Sequence, residues 1–471
     1  MTASLATPLV SPAAQALARG RDRLLALQTD AGWWKAELET NVTMEAEDLL
    51  LRQFLGRRDE GILRETAAWI RSKQGSDGGW AIYYGGPPDL SATIEAYTAL
   101  RLAGDPADAS HMRRAAELVR ELGGIERSRV FTRIWLAMFG EWPWERLPAL
   151  PPEVMLLPSW FPLNIYDFAS WARQTIVPLC VVASFRPRRP LGFALGELRT
   201  GQWSPPRFPL RTWSGRFQAL DRALHAYERR PLGPLRRHAL SLCAEWILRR
   251  QEADGCWGGI QPPWVYSIMA LHLLGYPLDH PALQKGWDAL ETFAIREGGV
   301  RRFEACQSPV WDTALAMVAL RDAGVAPSHP AMRRGAEYLL GQEIRVPGDW
   351  SVRRPKLEPG GWAFEFENDN YPDIDDTSEV ILALRAASAE RARTEGAVRR
   401  AVDWTFGMQC KDGGWAAFDV DNTQPLCGQL PFCDFGEVID PPSADVTAHV
   451  IEMLAEEGRA DDPRCLRGRE W

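Results

Sequence analysis

One short segment of the sequence concentrates acidic side chains at the start of a predicted helix. Asp373, Asp375 and Asp376 lie within four residues and precede Thr377. Three carboxyl groups this close cannot all ionise cheaply, so at least one should have a raised pKa and keep its proton. A carboxylic acid held protonated in an apolar cavity can protonate an alkene. The alternative is that Asp373 or Asp376 caps the helix and the other carboxylates are solvated.

Ionisable side chains also recur at one place in a helical repeat, two residues after a Thr. They are Glu45, Glu95, Glu379 and His449. If the repeated helices form an inner ring, these groups face a shared cavity, and His449 could stabilise the carboxylate left by alkene protonation. The alternative is that acids simply favour helix N-termini through the helix dipole, which suits a Glu but not a His cation.

Two interleaved repeats define the elements that carry these groups. In the first, Gln-x3-Gly-x-Trp, the Gly suits a left-handed helix stop. Its copies span residues 28–34, 74–80, 251–257 and 409–415, with a longer relative at 342–350. In the second, a Thr or Ser precedes a Leu by seven residues, at Thr43/Leu50, Thr93/Leu100, Ser267/Leu274, Thr313/Leu320, Thr377/Leu384 and Thr447/Leu454. Five copies end near a glycine, namely Gly56, Gly104, Gly275, Gly324 and Gly458.

The repeats predict a helix, a Gly-Trp turn, a loop and a second helix. Stacked helix pairs form either an open solenoid or a closed α/α barrel. Uneven spacing, with a Pro-rich insert at 147–162, favours closed barrels. We therefore predict an all-α fold of two α/α barrels without a substantial sheet.

Composition limits the classes of function. The length of 471 residues suggests two or three domains, and the net charge of -8 argues against nucleic-acid binding. The eight cysteines include no CxxC pair, which indicates reduced thiols and a cytoplasmic protein. No signal peptide and no apolar run long enough to span a bilayer is visible. Neither a zinc spacing nor a calcium loop is present, so we predict no metal site.

Aromatic residues could supply the other half of an alkene-protonation chemistry. A carbocation in a dry pocket is attracted to the faces of Trp, Tyr and Phe, which do not react with it; each contact contributes ~2 kcal/mol or more when desolvated. The sequence has 21 tryptophans. Phe364 and Phe366 lie just before the acidic segment, and Trp311 precedes Asp312. Most of the other tryptophans are expected in the core or in the repeated turns.

The Gln-x3-Gly-x-Trp repeats together with Asp-x-Asp-Asp resemble the squalene-hopene cyclases, within the triterpene cyclase family. The resemblance covers essentially the whole chain and includes segments 41–45, 162–166, 261–264, 308–312 and 431–435. The Asp-x-Asp-Asp form resembles the squalene type rather than the oxidosqualene type. The resemblance implies an isomerase (an intramolecular transferase) that cyclises squalene to hopene, with hopanol where water captures the cation. It implies no metal or organic cofactor.

The resemblance also implies roles for individual residues. Asp375 is the expected proton donor, hydrogen-bonded to His449 and supported by Asp373 and Asp376. The expected cation-stabilising aromatics are Trp171, Trp311, Phe364 and Phe418, the last at a position where the family commonly has Tyr. The expected deprotonation network, with ordered water, comprises Glu45, Glu95, Arg129, Gln261 and Tyr266. The expected constriction of the substrate channel comprises Phe168, Ile176, Phe432 and Cys433.

The same resemblance implies that one barrel is inserted in the other, with the cavity between them. Residues 1–35 and 306–471 are expected to form the catalytic barrel, and residues 36–305 the inserted barrel with a membrane-contacting helix. Members of the family continue through further repeats, so we expect the second barrel to be incomplete.

A basic stretch predicts contact with a lipid surface. Residues 207–237 contain eight arginines and two acids, and Phe217, Leu220, Leu224 and Tyr227 recur at helical spacing. Such a helix lies on a membrane rather than across it, although it could be an ordinary amphipathic helix. The resemblance implies a monotopic protein at the cytoplasmic face of the cell membrane, with a homodimer as one possible assembly.

Three other interpretations remain open. A class II cyclase of another polyprenyl substrate, such as a diphosphate, would need a basic phosphate pocket, which the sequence does not reveal. An (α/α) glycosidase would also use paired acids but would not explain the repeats. A shortened chain could instead be an inactive remnant or a partner subunit of such a cyclase.

Overall fold

The computed structural model describes residues 11–205, 207–434 and 436–471. Residues 1–10 of the predicted N-terminal part, and Phe435 of segment 431–435, therefore lie outside the described residues. In chain order the helices are α1 (Pro12–Leu27), α2 (Thr43–Leu55), α3 (Glu60–Ser72), α4 (Leu90–Leu102), α5 (Ser110–Glu121), α6 (Val130–Met138), α7 (Ser170–Phe185), α8 (Trp213–Glu228), α9 (Gly233–Arg249), α10 (Gln261–Leu273), α11 (Pro281–Thr292), α12 (Pro309–Asp322), α13 (Pro330–Gly341), α14 (Ile374–Arg385), α15 (Arg391–Gly407), α16 (Ala444–Glu456) and α17 (Pro463–Glu470).

Two short strands form the sheet of the described residues. β1 (Ala294–Glu297) and β2 (Val300–Phe303) pair antiparallel, with Glu297 opposite Val300. Gly298 and Gly299 join them with positive φ angles of 60° and 81°, as a tight hairpin requires. Short 3-10 helices lie at Ile125–Arg127, Trp144–Arg146, Pro152–Leu156, Ile165–Asp167, Gly196–Leu198, Asp349–Val352 and Cys427–Gln429. The prediction of an all-α fold is confirmed.

The chain packs as two compact units. The central unit comprises Glu37–Cys306 and Asn422–Pro441, and the flanking unit comprises the residues up to Ala36, Gln307–Asp421 and Pro442–Trp471. The family resemblance implies that residues 422–441 belong to the catalytic barrel. The structure places it in the central unit, where the Asn422 amide donates to the Phe168 carbonyl at 3.1 Å.

Inner helices pack on one another within each unit. In the central unit α2 packs against α4, and α10 packs against both α7 and α2. In the flanking unit α12, α14 and α16 pack in series, and each also contacts the helix that follows it. The ionisable residues of the repeat lie in the first turn of α2 and in the second turn of α4, α14 and α16.

The two sequence repeats meet in one structural unit. In the turn that ends at Trp80, the indole N–H donates to the Ile70 carbonyl of the preceding helix at 2.7 Å. The Trp80 backbone N–H donates to the Thr93 hydroxyl at 3.1 Å, so the Thr of the second repeat anchors the Trp of the first. The same pair of contacts recurs at Trp34 with Thr313 and at Trp415 with Thr447.

The repeated Gln ties the turn to a third element. The Gln74 amide donates to the Gly78 carbonyl at 2.7 Å and to the His111 carbonyl, in the first turn of α5, at 3.0 Å. Equivalent pairs of bonds start from Gln28, Gln251 and Gln409. Each turn therefore holds the end of one helix against the start of a later one.

One turn departs from the sequence prediction. The longer relative at 342–350 led us to expect Trp350 in the repeated position. Instead, Trp362 donates its indole N–H to the Leu339 carbonyl at 2.6 Å, and its backbone N–H to the Thr377 hydroxyl at 3.0 Å. Additional residues separate Gln342 from Gly361 and Trp362, so spacing alone selected the wrong Trp.

Candidate active site

The acidic segment opens α14, and its first carboxylate holds the helix start. Asp373 is the N-cap, and its Oδ1 accepts from the backbone N–H groups of Asp375 at 2.7 Å and Asp376 at 3.3 Å. The Asp373 N–H in turn donates to the Trp362 carbonyl at 2.7 Å. The capping alternative is therefore correct for Asp373, but the segment is not solvated, because Asp373 and Asp376 are buried.

Asp375 and His449 form the closest side-chain contact of this site. His449 Nδ1 lies 2.5 Å from Asp375 Oδ1, and the two side chains are 35% and 22% exposed. The contact joins the first turn of α14 to α16, two helices that pack together. The two groups are thus partly shielded from water and directly hydrogen-bonded.

Charges around His449 favour its cationic form. Burial alone lowers the pKa of the imidazole, but the hydrogen bond and charge of Asp375, with the charges of Glu379 and Glu452, outweigh burial and raise it. Glu379 lies one helical turn after Asp375 and is itself buried, which raises the pKa of its carboxyl. His449 is therefore a cation donating to Asp375 over a wider pH range than a free imidazole.

The carboxyl group that best matches the predicted retention of a proton is that of Asp376. Complete burial raises the pKa of this carboxyl well above its ordinary value, and the charges of Asp373, Asp375 and Glu365 add to the effect. Of the three crowded carboxyls, Asp376, beside the Asp375–His449 pair, therefore keeps its proton to a higher pH than an ordinary carboxyl does.

The aromatic residues predicted for this site occupy both units. In the flanking unit, the Trp311 ring lies 6.3 Å from the His449 ring, while Phe364 and Phe418 are half-buried. In the central unit, Trp171 is half-buried and donates its indole N–H to the Glu437 carbonyl at 2.9 Å. The Trp311 ring therefore contacts the imidazole of the acid–imidazole pair.

The predicted deprotonation network lies in the central unit. Glu45 Oε1 accepts from the Phe303 backbone N–H at 2.8 Å, and the Gln261 amide donates to the Met44 carbonyl at 2.9 Å. Burial raises the pKa of Glu45 to about 7, although the Phe303 N–H and Arg301 oppose this. Glu45 and Gln261 thus meet where α2 packs on α10.

The other three members of that network share a second set of neighbours. The Thr132 hydroxyl donates to Glu95, and burial raises the pKa of Glu95 to about 7 against the opposing charge of Arg129. Burial also raises the pKa of Tyr266, and the negative charges of Glu47 and Glu95 raise it further.

Buried polar atoms without a hydrogen-bond partner among the described residues occur throughout this network. They are Glu45 Oε2, Arg129 Nε, Trp135 Nε1, Gln261 Oε1 and the Tyr266 hydroxyl oxygen. Buried groups of this kind bind ordered water in most proteins. The network is therefore suited to hold water.

Sequence reasoning missed one acid of this region. Glu47 is buried and lies on α2, two residues after Glu45. A signal was present, because the run Glu45, Glu47 and Asp48 interrupts a helix whose following residues are Leu49, Leu50 and Leu51. An acid at a position that the helical period assigns to the core needs a partner or a function.

An apolar cavity of about 420 Å³ accounts for most of the predicted channel. Phe168, Ile176 and Phe432 line it, and α8 contributes Phe217 and Leu220. Cys433 follows Phe432 and is half-buried, and burial raises the pKa of its thiol to about 12.

Two further features bear on ligands and membranes. Glu252, Asp254 and Cys256 place potential metal-ligand atoms within 4.8 Å of one another. Two of these side chains already serve the repeated turn, as Asp254 accepts from the Cys256 N–H at 2.9 Å and Glu252 accepts from the Gly258 N–H. Across the described residues, none of the helices combines the length and apolar character needed to cross a bilayer.

Comparison with known proteins gives matches along nearly the whole chain. A profile described as "Squalene-hopene cyclase N-terminal domain" matches residues 17–299, and one described as "Squalene-hopene cyclase C-terminal domain" matches residues 307–469. The squalene–hopene cyclase of Alicyclobacillus acidocaldarius is 47% identical over 459 residues, covering 96% of this chain and 73% of the relative. The squalene–hopene cyclase of Zymomonas mobilis is 39% identical, covering 96% and 71%. A dammaradiene synthase of Dryopteris crassirhizoma is 37% identical, covering 93% and 65%.

Proposed function

The chain belongs to the squalene-hopene cyclase family, and from this premise we propose that it protonates squalene and cyclises it to hopene, with hopanol where water captures the last cation. The observation that carries the proposal is the contact of 2.5 Å between His449 and Asp375, beside the buried acid Asp376. An alkene is a very weak base, so its protonation needs a strong acid whose conjugate base is stabilised.

In the first step, the reactive form of the site carries an additional proton, taken up from solvent, on Asp375 Oδ2, and this proton moves to a terminal alkene carbon of the substrate. A C–H bond forms from the π electrons, and the adjacent carbon becomes a cation. His449 Nδ1–H donates to Asp375 Oδ1 throughout, and its positive charge stabilises the carboxylate that is left. Neutral Asp376 adds no second negative charge that would hold the proton on Asp375.

The later steps need cation stabilisation and then a base. Ring faces such as those of Trp311, Trp171, Phe364 and Phe418 would stabilise successive cations without capturing them. Ordered water held by Glu45, Glu95, Arg129, Gln261 and Tyr266 would accept the final proton. Loss of that proton gives hopene, and addition of the water, which then loses one of its own protons to the network, gives hopanol.

The test is product formation by the purified chain. The protein, solubilised in detergent, is incubated with squalene, and the extract is analysed by gas chromatography and mass spectrometry. We expect pentacyclic product from the native chain and a loss of roughly 100-fold or more in Asp375→Asn, since the general acid is removed. Asp461→Asn, which changes an exposed acid of the same unit, should keep native activity.

Other outcomes of this assay would overturn the proposal. No product from the native chain would support the inactive remnant or partner subunit. Activity with a polyprenyl diphosphate instead of squalene would support another class II cyclase. A tetracyclic triterpene product would keep the protonation chemistry but move the function toward that named for the dammaradiene synthase relative.

We further propose that the chain takes squalene from the surface of a membrane, at its cytoplasmic face. Exposed apolar side chains lie on α8 and the segments near it, namely Trp160, Phe161, Phe208, Leu210, Trp213 and Leu220. These six residues are called the apolar patch below. Phe161 and Leu220 also line the 420 Å³ cavity, so the patch and the cavity are continuous.

Basic side chains accompany the apolar patch. Of the eight arginines at 207–237, Arg236 is buried and pairs with Glu153 and Glu228, while the other seven are exposed. Exposed arginines beside exposed aromatic rings favour binding to anionic lipid headgroups. Membrane binding at this surface would deliver an insoluble substrate directly to the cavity. A homodimer stays a prediction from the family resemblance.

A further inference from the structure

The segment Gly348-Asp349-Trp350 serves neither the repeated turns nor the mechanism described so far. Its spacing from Gln342 resembles the repeat, but Trp362 makes the repeated contacts. The Trp350 side chain is instead buried, and the Asp349 side chain beside it is only 5% exposed. An acid buried in this way needs a partner or a function.

Asp349 holds the chain just before the acidic segment at two successive residues. Its backbone N–H donates to the Asn370 carbonyl at 3.1 Å, and its Oδ2 accepts from the Tyr371 hydroxyl at 2.5 Å. The Tyr371 side chain is buried as well. A hydroxyl–carboxylate hydrogen bond is short and strong, and shielding from water strengthens it further. The side-chain bond between these two residues is called the Asp349–Tyr371 clamp below.

A glycine allows the two segments of the clamp to approach each other. A Cβ at Gly348 would lie 2.2 Å from the Asn370 carbonyl oxygen. No other residue type fits at this distance without moving one of the two segments. The sequence at 348–349 therefore suits close packing on residues 370–371.

The clamp adjoins the cap of the acidic helix. A single residue, Pro372, separates Tyr371 from Asp373, and a proline restricts both its own φ and the backbone of the residue before it. Asp373 caps α14 by accepting from the Asp375 N–H at 2.7 Å. A displacement of Tyr371 would therefore pass along the chain to Asp373 and change the distance from Asp375 to His449.

Backbone hydrogen bonds hold the other end of the same segment. The Asp373 N–H donates to the Trp362 carbonyl at 2.7 Å, and the Ile374 N–H donates to the Ala417 carbonyl at 2.9 Å. These bonds fix the chain at the cap and after it, while the clamp fixes the chain before it. Because the Tyr371 hydroxyl is a side-chain donor, it can be removed with the backbone bonds left in place.

We propose that the Asp349–Tyr371 clamp positions the proton donor, by fixing the Asp373 cap so that Asp375 Oδ1 stays within hydrogen-bond reach of His449 Nδ1. This role rests on the proposed cyclase function. Asp349 and Tyr371 are positioning residues, because they act on the proton donor through the backbone of residues 371–375.

The first test measures the position of Asp375 through His449 and needs no activity. The hydrogen bond and charge of Asp375 contribute to the raised pKa of His449, so a displaced Asp375 lowers that pKa. The full chain is prepared with ¹³C-labelled histidine and titrated by NMR. The chain has seven histidines, and the resonance that is lost in His449→Gln identifies the one required.

The other charged groups near His449 stay the same in all the variants. Their charges act on the imidazole from its own helix α16 and from α14, and one arginine of α12 acts on an acid of α14. These groups are Asp445 and Glu452 on α16, Glu379 on α14 and Arg321 on α12. A changed titration of His449 therefore reports on Asp375.

Two variants of the clamp should lower the pKa of His449, and a third should not. Tyr371→Phe keeps the ring and removes the hydroxyl, and Asp349→Ala removes the acceptor. Asp349→Asn keeps an oxygen that can accept from the Tyr371 hydroxyl, so His449 should titrate nearly as in the native chain. The near-isosteric Tyr371→Phe and Asp349→Asn keep the test usable if Asp349→Ala does not fold.

A matched control separates positioning from a general loss of stability. In the central unit, the hydroxyl of buried Tyr97 donates to Glu197 at 2.8 Å, which is the same kind of bond. Tyr97→Phe and Tyr371→Phe should both lower the midpoint of urea unfolding. Only Tyr371→Phe should change the titration of His449, because a contribution to folding alone does not move Asp375.

The second test measures cyclisation of squalene by the same variants. Tyr371→Phe should lower kcat roughly tenfold or more with KM nearly unchanged, because small misplacements of a catalytic group cost up to ~100-fold in rate. Asp349→Asn should restore most of the native kcat. Tyr371→Phe combined with Asp349→Ala should lose no more than the worse single variant, since each substitution alone already breaks the same contact.

The two tests distinguish this inference from the proposed function. If the native chain forms no product, the titration of His449 still decides whether the clamp positions Asp375. If Tyr371→Phe is destabilised like Tyr97→Phe but keeps the native titration of His449 and the native kcat, the inference is wrong and the cyclase function stands.

Discussion

At the scale of single residues, the buried acids of the central unit make the free energy of unfolding depend on pH. Burial raises the pKa of Glu45 from its ordinary value of 4.5 to about 7. A group with a raised pKa contributes stability that is fully present below the unfolded pKa and lost as pH rises through the folded pKa. The window of this loss for Glu45 therefore runs from about pH 4.5 to 7.

We expect Glu45→Gln to remove that loss. The amide keeps an oxygen that can accept from the Phe303 N–H, but it never ionises. Relative to the native chain, the variant should gain up to about 3 kcal/mol between pH ~4 and ~9, the energy of the shift. The measurement is urea unfolding at both pH values, with Glu117→Gln as control. An unchanged difference between variant and native chain would mean that Glu45 is not held neutral.

The sequence revealed the acid and its partner because both are marked by residue type and spacing. Asp373, Asp375 and Asp376 are crowded along the chain itself, and His449 stands at a repeated position. Glu47 is marked only by an acidic run at positions that the helical period assigns to the core. Its neighbours come from the packing of α2 on α4, and packing partners far apart in sequence cannot be read from local spacing.

At the scale of elements, the Gly-Trp turns hold helix pairs together through backbone approach as well as through hydrogen bonds. Gly78 has a φ of 91°, and a Cβ there would lie 2.7 Å from Arg114 Cβ on α5. Gly104, at the end of α4, has a φ of 97° but open space around its missing Cβ. The two glycines thus share a left-handed backbone and differ in crowding.

This difference allows strain and crowding to be separated. Gly104→Ala should cost about 1–2 kcal/mol, the penalty for a left-handed Ala. Gly78→Ala should lower the free energy of unfolding by that amount and by roughly 1–3 kcal/mol more, because α5 must move away from the turn. Chemical denaturation of both variants measures the costs. Equal losses in the two would show that the close approach of turn and helix does not contribute.

The elements could be predicted where the repeat keeps its spacing and not where it is interrupted. Gly56, Gly104, Gly275, Gly324 and Gly458 all have positive φ, as their place after a helical pattern predicted. In contrast, the turn after Gln342 contains an insertion, and Trp362 rather than Trp350 makes the repeated contacts. The same two hydrogen bonds of the Trp form this turn as in the other copies, so the two glycines before Trp362 indicate the position of the turn better than the distance from Gln342 does.

At the scale of the whole molecule, each unit collects segments that are distant in sequence. Asn422–Pro441 lies between two parts of the flanking unit along the chain, yet it packs in the central unit. Its position depends on contacts such as Asp434, which accepts from the Val130 N–H at 3.0 Å. Helical periodicity could not predict this, because the described part of the segment has a short 3-10 helix as its helical element, and its partners, such as the Val130 N–H and the Phe168 carbonyl, are backbone groups far away in sequence.

The proposed membrane binding depends on two attractions, the insertion of apolar side chains and the electrostatic attraction of arginines. Variants of the surface of the central unit can separate the two. Apolar insertion acts on any bilayer, while arginine attraction acts only on anionic lipid and weakens with salt. Binding is measured by co-sedimentation with vesicles of phosphatidylcholine alone or mixed with phosphatidylglycerol. We expect Trp160→Ser with Trp213→Ser to weaken binding to both kinds of vesicle.

Charge reversal should act on anionic vesicles alone. Each basic residue near an anionic surface contributes about 1 kcal/mol, or roughly fivefold in affinity. Arg211→Glu with Arg216→Glu should therefore lower binding to the mixed vesicles by roughly 25-fold or more at low salt, and by less as salt is added. Tyr84→Ser and Arg113→Glu, which change exposed residues on other segments of the unit, serve as controls. If the controls weaken binding as much as the patch variants do, the membrane is bound by general surface properties and not by α8 and the apolar patch.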